Sequence, residues 1–161
     1  MKIIHTDGTN KDLYKLCELL DTSLNDNVPN RKAAGLNSLY NIENIKDVFL
    51  LYDEKRAVGS ACLWQHDEQN CELIRVYIAD EYRGRGLVGM LVEKVEGLAK
   101  TKGYEQIMLR TWTSTPYSIR AYEKLGYSLV PAKMIKHTDK FARALALADV
   151  RVYMVKSFKQ E

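Results

Sequence analysis

Two arginines and three glycines lie within seven consecutive residues near the middle of the chain. They are Arg83, Gly84, Arg85, Gly86 and Gly89. Glycine lets the backbone approach a phosphate closely, and arginine adds charge-assisted hydrogen bonds to it. Where such a turn leads into a helix, the N–H groups of the first turn and the helix dipole also favour an anion. This spacing therefore predicts a site for a phosphorylated ligand.

The residues on either side supply the elements that would position this turn. Residues 73–78 form an apolar, β-branched run, which predicts a strand. Leu87, Leu91 and Val95 have the spacing of one helix face. We therefore expect a strand, a glycine turn and a helix in succession, with Leu87 and Val88 at the start of the helix.

A second run, residues 115–127, has the composition of a short capped helix. Thr115 suits the N-cap, Pro116 suits the first helical position, and Gly126 suits the end of the helix. Tyr122 lies four residues before that glycine. The run therefore predicts a helix that carries an aromatic hydroxyl in its last turn.

The first run also satisfies a different fingerprint. Residues 84–89 match G-x-G-x-x-G, which is typical of dinucleotide-binding folds. In those folds the glycine loop follows the first strand, and repeated βαβ units come after it. Here the loop follows a predicted antiparallel meander, and too little chain remains for a doubly wound sheet. The dinucleotide interpretation is therefore disfavoured by the predicted architecture.

Together, the two runs resemble the GNAT superfamily of N-acetyltransferases. Residues 83–86 resemble the R-x-x-G-x-G/A loop that cradles the pyrophosphate of coenzyme A in that family. Residues 115–127 resemble its N-x-x-A-x-x-x-Y-x-x-x-G-F pattern, with Tyr122, Gly126 and Tyr127 at the tyrosine, glycine and aromatic positions. Jointly, the two motifs and the interval between them are specific to the family.

The resemblance implies a fold and a set of cofactor contacts. The fold is a mixed α/β (α+β) one, with a mostly antiparallel central sheet, flanking helices and a splayed parallel pair at its centre. The co-substrate is acetyl-CoA, without a metal. Val88, Thr115 and Ser118 depart from the family pattern. The implied cofactor-binding residues are Val76, Tyr77, Ile78, Arg83, Gly84, Arg85, Gly86, Leu87, Val88, Gly89, Thr115 and Ser118.

The resemblance also implies catalytic roles, for which alternatives stay open. Tyr122 lies where the family has its general acid, although it could be a core aromatic residue. Glu72 lies where several relatives have a carboxylate base that acts through water, although it could be a surface charge at a strand end. A covalent route through Cys62 or Cys71 lacks a His/Asp partner pattern, so buried structural thiols are favoured. A non-catalytic module that binds coenzyme A is the alternative function.

Composition limits the remaining classes. A length of 161 residues predicts one domain, residues 1–161, and a net charge of +3 with a pI near 8.7 is too small to indicate nucleic acid binding. Three scattered cysteines and three scattered histidines indicate a reduced, cytoplasmic protein without a metal site. No apolar run predicts a signal peptide or a membrane span. The expected partner is a small-molecule or peptide amine, and a homodimer stays open.

The other elements are predicted from periodicity and turn residues. We expect a capping box at Thr9 and Asp12 that begins a helix with Leu20 on its apolar face, and a break in that helix over 21–30, where Asn25 and Asp26 lie. Strands are expected at 2–5, 48–52, 57–66, 71–79, 106–112, 127–130, resuming toward 135, and 151–158. Further helices are expected at 31–40 and 138–148. The strand at 106–112 should lie parallel to the one at 73–78, because a crossover helix joins them.

Overall fold

The computed structural model of the chain describes residues 1–27, 41–131 and 151–159. The helices predicted at 31–40 and 138–148, and the continuation of a strand after Pro131, lie outside the described residues. The described residues form seven strands and three α-helices, joined in places by short 3₁₀ turns.

One sheet contains all seven described strands. Their bounds are β1 Lys2–Thr6, β2 Asp47–Asp53, β3 Arg56–Gln65, β4 Cys71–Ile78, β5 Gln106–Trp112, β6 Ser128–Val130 and β7 Arg151–Ser157. The strand order is β1-β2-β3-β4-β5-β7-β6. The expected meander is confirmed, since β1 to β4 pair antiparallel in succession. Short turns permit this pairing, whereas a crossover is needed for a parallel pair.

The centre of the sheet contains the parallel pair. β4 and β5 pair in parallel at one register position, Glu72 with Met108. Beyond β5 the sheet is antiparallel again through β7 and β6. The strands β4 and β5 therefore meet near the start of β4 and separate along their length. The predicted mixed sheet with a splayed parallel centre is confirmed.

A bulge interrupts β4 at the point where the pair opens. In the β3–β4 register, Ser60 faces Tyr77 but Cys62 faces Ile74, so β4 contains one extra residue. Arg75 has a φ of 54°, a left-handed conformation that is uncommon outside glycine. The Ser60 hydroxyl donates a 2.8 Å hydrogen bond to the Arg75 carbonyl oxygen. The bulge changes the direction of β4 as it passes the open side of the pair.

The first helix differs from its prediction at both ends. Helix α1 spans Lys11–Asn27, and its N-cap is Asn10, whose side chain accepts a hydrogen bond from the Asp12 N–H at 2.9 Å. The predicted capping box at Thr9 is wrong, because the Thr9 hydroxyl donates to Asp7 instead. The predicted break after Leu20 is also wrong. Tertiary contacts outweigh the weak helix propensity of residues 21–27, and among them is an ion pair from Asp21 to Arg75 of β4.

The second and third helices each contain part of one predicted motif. Helix α2 spans Leu87–Thr101 and begins directly after Gly86, as expected. It ends at Thr101, and Gly103 follows with a φ of 90°, the left-handed conformation that is typical just after a helix. Helix α3 spans Pro116–Lys124 with Thr115 at its N-cap. The Thr115 side chain makes no capping hydrogen bond and instead donates to the Trp112 carbonyl oxygen at 3.0 Å.

The core lies between the sheet and the helices α1 and α2. Each helix contributes a buried stripe, Leu13, Leu16 and Cys17 from α1 and mainly Leu91, Val92 and Val95 from α2. The apolar runs of β2 and β3 are buried against these stripes. Burial of this surface on one contiguous core holds the splayed strands and the glycine turn in a fixed relation.

Candidate active site

The glycine turn, residues 83–86, is open where a phosphate would approach it. Gly84 and Gly86 have φ values of 76° and 73°, and a Cβ added at either position would meet nothing within 4 Å. Gly86 is the N-cap of α2, so the N–H groups of the first helical turn follow it. This turn, called the glycine loop below, therefore fits an anionic group on the basis of its own backbone.

The two arginines of the loop have different surroundings. Arg83 donates from Nε to the Ile78 carbonyl oxygen at 3.0 Å and pairs with Asp80 at 3.0 Å. Arg85 donates to the Glu81 carbonyl oxygen at 3.1 Å and lies over the Tyr82 ring. Arg83 therefore links the loop to the end of β4, while Arg85 packs against the short turn before the loop.

A cavity of about 690 Å³ opens between β4, β5, the glycine loop and α3. Most of the predicted site residues line it, namely Glu72, Val76, Tyr77, Ile78, Arg83, Gly84, Gly86, Leu87, Val88, Thr115, Ser118 and Tyr122. Arg85 and Gly89 are absent from the described lining. A Cβ at Gly89 would contact Leu125, the residue just after α3, at 3.5 Å. Val88 lines the cavity without displacing the helix start, because α2 begins at Leu87.

Tyr122 lies on the cavity side of α3 and is half-buried. Its ring meets the Tyr127 ring edge-on, with 5.9 Å between the ring centroids. Burial raises the pKa of the Tyr122 hydroxyl above its usual value, so the phenol stays protonated well beyond neutral pH. Tyr122 therefore combines a packed ring with a neutral hydroxyl beside the cavity.

Glu72 is buried and takes part in a three-residue contact. Its carboxylate receives two hydrogen bonds from Arg110, from Nε at 3.0 Å and from Nη2 at 3.1 Å. The same carboxylate contacts His66 Nε2 at 2.9 Å. The side chains of Glu72 and Arg110 are 3% and 4% exposed. The alternative of a surface charge at a strand end is therefore wrong for Glu72.

The same face of the sheet continues toward the end of β5. Arg110 and Trp112 are two residues apart on β5 and so point to one face. Trp112 is paired in register with Arg151 of β7, whose guanidinium carbon lies 4.1 Å from the centroid of the Trp112 ring. We call Glu72, Arg110, Trp112 and Arg151 the polar sheet face. All four residues line the cavity.

The sequence analysis did not identify several residues of the site. Arg75, Arg110 and Arg151 line the cavity but were not predicted as site residues. His66, which contacts Glu72 from outside the described lining, was counted only among the scattered histidines. Arg110 carried a signal, because a charge within an apolar strand must have a partner if the strand is buried. The partner, Glu72, lies 38 residues earlier and could be recognised only through the parallel pairing of β4 with β5.

The three cysteines are buried and free. Burial raises the pKa of Cys17 to about 11 and that of Cys71 to about 12, and it also raises the pKa of Cys62. A thiol that stays protonated is a weak nucleophile. Within the described ranges, no cluster of His, Cys, Asp and Glu could hold a metal ion. No helix in those ranges is long and apolar enough to cross a membrane.

A mixed sheet that opens at a parallel pair beside a glycine loop is the arrangement expected for an N-acetyltransferase. Comparison with known proteins agrees: the sequence model described as the Acetyltransferase (GNAT) family matches residues 13–127. This match covers more than half of the chain. The protein therefore belongs to the Acetyltransferase (GNAT) family, and the predicted family and fold are confirmed.

The individual relatives have low sequence identity to this chain. Mycothiol acetyltransferase of Corynebacterium glutamicum (strain R) is 29% identical over 89 residues, which are 55% of this chain and 30% of that protein. The chain thus spans less than a third of the length of that relative. An acetyltransferase from Streptococcus agalactiae has a TM-score of 0.76 at 20% identity, with 97% of this chain and 98% of that one covered.

A third comparison concerns a structure that contains a ligand. A GNAT family acetyltransferase from Elizabethkingia anophelis, solved with acetyl-CoA bound, has a TM-score of 0.56 at 16% identity. The superposition covers 70% of this chain and 76% of that one. At these identities both solved structures support the fold alone.

Proposed function

We propose that this protein transfers an acetyl group from acetyl-CoA to a primary amine, by direct attack within a ternary complex. The observation that carries the proposal is the single cavity lined by both the glycine loop and Tyr122. These two features come from separate motifs, and both resemble functional segments of the family to which the chain belongs. Family membership does not favour the alternative of a non-catalytic module.

The residues present fit the coenzyme. Acetyl-CoA supplies an acetyl group activated as a thioester. The glycine loop would hold its pyrophosphate, because Gly84 and Gly86 leave open space in front of backbone N–H groups and Arg83 adds positive charge. The backbone of Val76 to Ile78 runs along the open side of β4 and would pair with the amides of the pantetheine arm.

The reaction requires two proton movements. A carbon–nitrogen bond forms as the carbon–sulfur bond breaks, the amine loses a proton, and the departing sulfur gains one. Tyr122 would supply the proton to sulfur, because its hydroxyl is neutral and lies beside the cavity. Such a donor typically contributes about 10² to 10⁴ in rate.

We propose Glu72 as the group that accepts the amine proton through water. Glu72 lines the cavity, and the two hydrogen bonds from Arg110 fix the position of its carboxylate. A positioned proton acceptor of this kind contributes at least about 10²-fold to the rate. In Glu72→Gln, the single-turnover rate should fall by that factor at neutral pH. A rate equal to that of the natural chain, in a folded variant, would assign Glu72 to structure alone.

Direct transfer is favoured over a covalent acetyl-cysteine route. The raised pKa values of Cys71 and Cys62 keep both thiols protonated at neutral pH. We therefore expect initial-rate plots that intersect when both substrates are varied. Parallel lines, together with labelling of the protein by radioactive acetyl-CoA, would support the covalent route instead.

The experiment that tests the proposed function is a screen of acceptors with acetyl-CoA. Primary amines of small molecules and of peptides are mixed with the protein, and release of the coenzyme A thiol is followed with a thiol reagent. Mass spectrometry then identifies the acetylated amine. If the thiol is released faster with an acceptor than without one, the protein is an enzyme. Tight binding of coenzyme A without release across the panel would support the non-catalytic alternative.

A further inference from the structure

The end of α3 folds Tyr127 back onto Tyr122. Gly126 follows the helix in a left-handed conformation, with a φ of 96°. The Tyr127 N–H donates to the Tyr122 carbonyl oxygen at 3.0 Å, and the Gly126 N–H donates to the Glu123 carbonyl oxygen at 3.0 Å. These two hydrogen bonds form a Schellman motif, in which the side chain after the glycine commonly packs against the last turn of the helix. Here that packing is the edge-on contact between the Tyr122 and Tyr127 rings.

Tyr127 is anchored at its other end by a buried carboxylate. Its hydroxyl donates a 3.0 Å hydrogen bond to Glu96 Oε1, and Lys156 Nζ donates to Glu96 Oε2 at 2.9 Å. Tyr127 and Glu96 are both buried, whereas the Lys156 side chain is 27% exposed. We call Glu96, Tyr127 and Lys156 the Glu96 cluster. Because Glu96 belongs to α2 and Lys156 to β7, the cluster fixes Tyr127 relative to both elements.

Each contact of the Glu96 cluster has a physical cause. A carboxylate buried on the core side of α2 is costly without partners, so Lys156 supplies the opposite charge and Tyr127 supplies a donor. Burial, together with the Glu96 charge, raises the pKa of the Tyr127 hydroxyl, which therefore stays protonated as the donor. The Lys156 side chain also packs against Gly126, where an added Cβ would lie 3.3 Å from Lys156 Cε. Contacts at both ends of Tyr127 thus define the position of its ring.

The Tyr122 side chain depends on packing for its own position. Among the described residues, its hydroxyl has no hydrogen-bond partner, so packing decides where the hydroxyl points. The Tyr127 ring supplies a fixed surface for this packing, with 5.9 Å between the two ring centroids. Position matters for a proton donor, because a displacement of about 1 Å at a reacting group can cost on the order of 10²-fold in rate.

We propose that the Glu96 cluster positions the Tyr122 side chain, which makes Tyr127 a positioning residue for the proton donor. A displaced phenol would meet the departing sulfur at a poorer distance and angle. The glycine loop, which would hold the pyrophosphate, does not contact the cluster through any described hydrogen bond or ion pair. The cluster should therefore affect the rate of acetyl transfer rather than the affinity for coenzyme A. This inference rests on the proposed function, because it concerns the group that would protonate the thiolate.

The test is a double-mutant cycle on Tyr127 and Tyr122. Tyr127→Phe keeps the ring but removes the hydroxyl that donates to Glu96. We expect the single-turnover rate to fall about 10-fold, less than on loss of the donor itself, with the affinity for coenzyme A unchanged. In a Tyr122→Phe background, Tyr127→Phe should cause no further fall, because the group that it positions is absent. Equal falls in both backgrounds would show a purely structural role and overturn the proposal, as would an unchanged rate in the single variant.

Further variants separate positioning from stability. Tyr52→Phe removes a comparable hydrogen bond, from a tyrosine hydroxyl to the Asp12 carboxylate at 2.6 Å, outside the described lining of the cavity. It should lower stability without changing the rate. Glu96→Gln keeps an oxygen that can accept from Tyr127, and the partly exposed Lys156 can turn toward water. Its rate should therefore stay closer to that of the natural chain than the rate of Glu96→Leu. A Gln variant as slow as the Leu variant would overturn the proposal.

A readout without catalysis keeps this inference distinct from the proposed function. Isotope-labelled tyrosine is incorporated, and the ring signals of Tyr122 are identified as those lost in Tyr122→Phe. NMR relaxation dispersion with coenzyme A present then measures how fast this ring flips. We expect flipping about 10-fold faster in Tyr127→Phe, the effect of one lost hydrogen bond, and unchanged in Tyr52→Phe. If no amine is acetylated but the ring flips faster, the proposed function fails and the positioning of Tyr122 stands. Unchanged flipping in Tyr127→Phe overturns the inference.

Discussion

The glycine loop and the polar sheet face line one cavity, but different interactions hold them. The loop depends on near neighbours, since the hydrogen bonds of Arg83 and Arg85 reach back five residues or fewer. The polar sheet face depends on distant segments, since Glu72 and Arg110 are 38 residues apart and Trp112 contacts Arg151 of another strand. One wall is thus local in sequence, and the other exists only once the sheet has formed.

This difference predicts different responses to substitution. A change in the glycine loop should alter the affinity for the ligand more than the stability of the fold. The loop glycines border open space, so few core contacts depend on them. A change in the buried ion pair of the polar sheet face should alter stability first, because it leaves a buried charge without its ion-pair partner. Four experiments test this contrast, beginning with the largest expected effect.

The largest effect is expected from Arg110→Met, which leaves the Glu72 carboxylate buried without its bidentate partner. The free energy of unfolding should fall by about 3–5 kcal/mol, measured by urea denaturation. The double variant Arg110→Met, Glu72→Leu should recover most of this loss, because it removes both charges. Equal midpoints for the single variant and the natural chain would mean that the ion pair does not hold the face together.

The second effect is expected from Gly86→Glu in the glycine loop. A side chain at a φ of 73° costs about 1–2 kcal/mol and projects a negative charge into the open space before α2. Affinity for coenzyme A should fall on the order of 10³-fold by calorimetry, about 4 kcal/mol of binding free energy. Gly97→Glu is the matched control, because Gly97 is exposed on α2 outside the described lining of the cavity. A similar loss of affinity in both variants would contradict the assignment of the loop.

The third effect concerns catalysis beside the loop. Tyr122→Phe keeps the ring contact with Tyr127 but removes the proton and the hydroxyl group. The single-turnover rate should fall about 10²-fold, while affinity for coenzyme A changes little. Tyr14→Phe, at an exposed tyrosine of α1, provides the control. An unchanged rate in Tyr122→Phe would make this residue a core aromatic and leave solvent as the source of the proton.

The smallest effect is a loss of stability at alkaline pH. Cys71 precedes Glu72, and burial raises its pKa to about 12, with a smaller effect of the Glu72 charge in the same direction. In the unfolded chain this thiol ionises near pH 8.5, whereas in the folded chain it stays protonated. Its stabilising contribution is complete below about pH 8.5 and declines as the pH rises toward 12, by up to about 1.4 kcal/mol per pH unit.

The measurement compares urea unfolding at pH 7 and pH 10 in the natural chain and in Cys71→Ala. The variant should lose less stability between these two pH values, because one raised thiol pKa is absent. Cys17, whose pKa is raised to about 11, should still contribute to the decline. An identical decline in both proteins would contradict the burial argument for Cys71.

The glycine loop, the bounds of β5 and the start of α2 could all be predicted from the sequence. Each depends on a few adjacent residues whose conformational preferences agree with the final fold, such as Gly86 before Leu87. The family resemblance depends on those same local segments, which explains why most of the residues that it identified line the cavity.

The contacts that required the folded sheet could not be predicted. The extent of α1 beyond Leu20 depends on tertiary contacts such as the ion pair of Asp21 with Arg75, which joins residues 54 positions apart. His66 contacts Glu72 only because the β3–β4 turn returns it to the start of β4. Propensity and spacing carry no information about such pairings, so the charged partners of the polar sheet face were missed.

The single register position between β4 and β5 has a consequence for self-association. Beyond Glu72 and Met108, no strand in the described part of the chain pairs across the gap, so the sheet has two additional edges in its interior. Exposed edges usually invite pairing with strands of other chains and thereby aggregation. These edges instead face a cavity of about 690 Å³ that the glycine loop and α3 also line, so the edges lie inside the fold rather than along its rim. The protein can therefore keep strand edges available for recognition without offering them to its own copies.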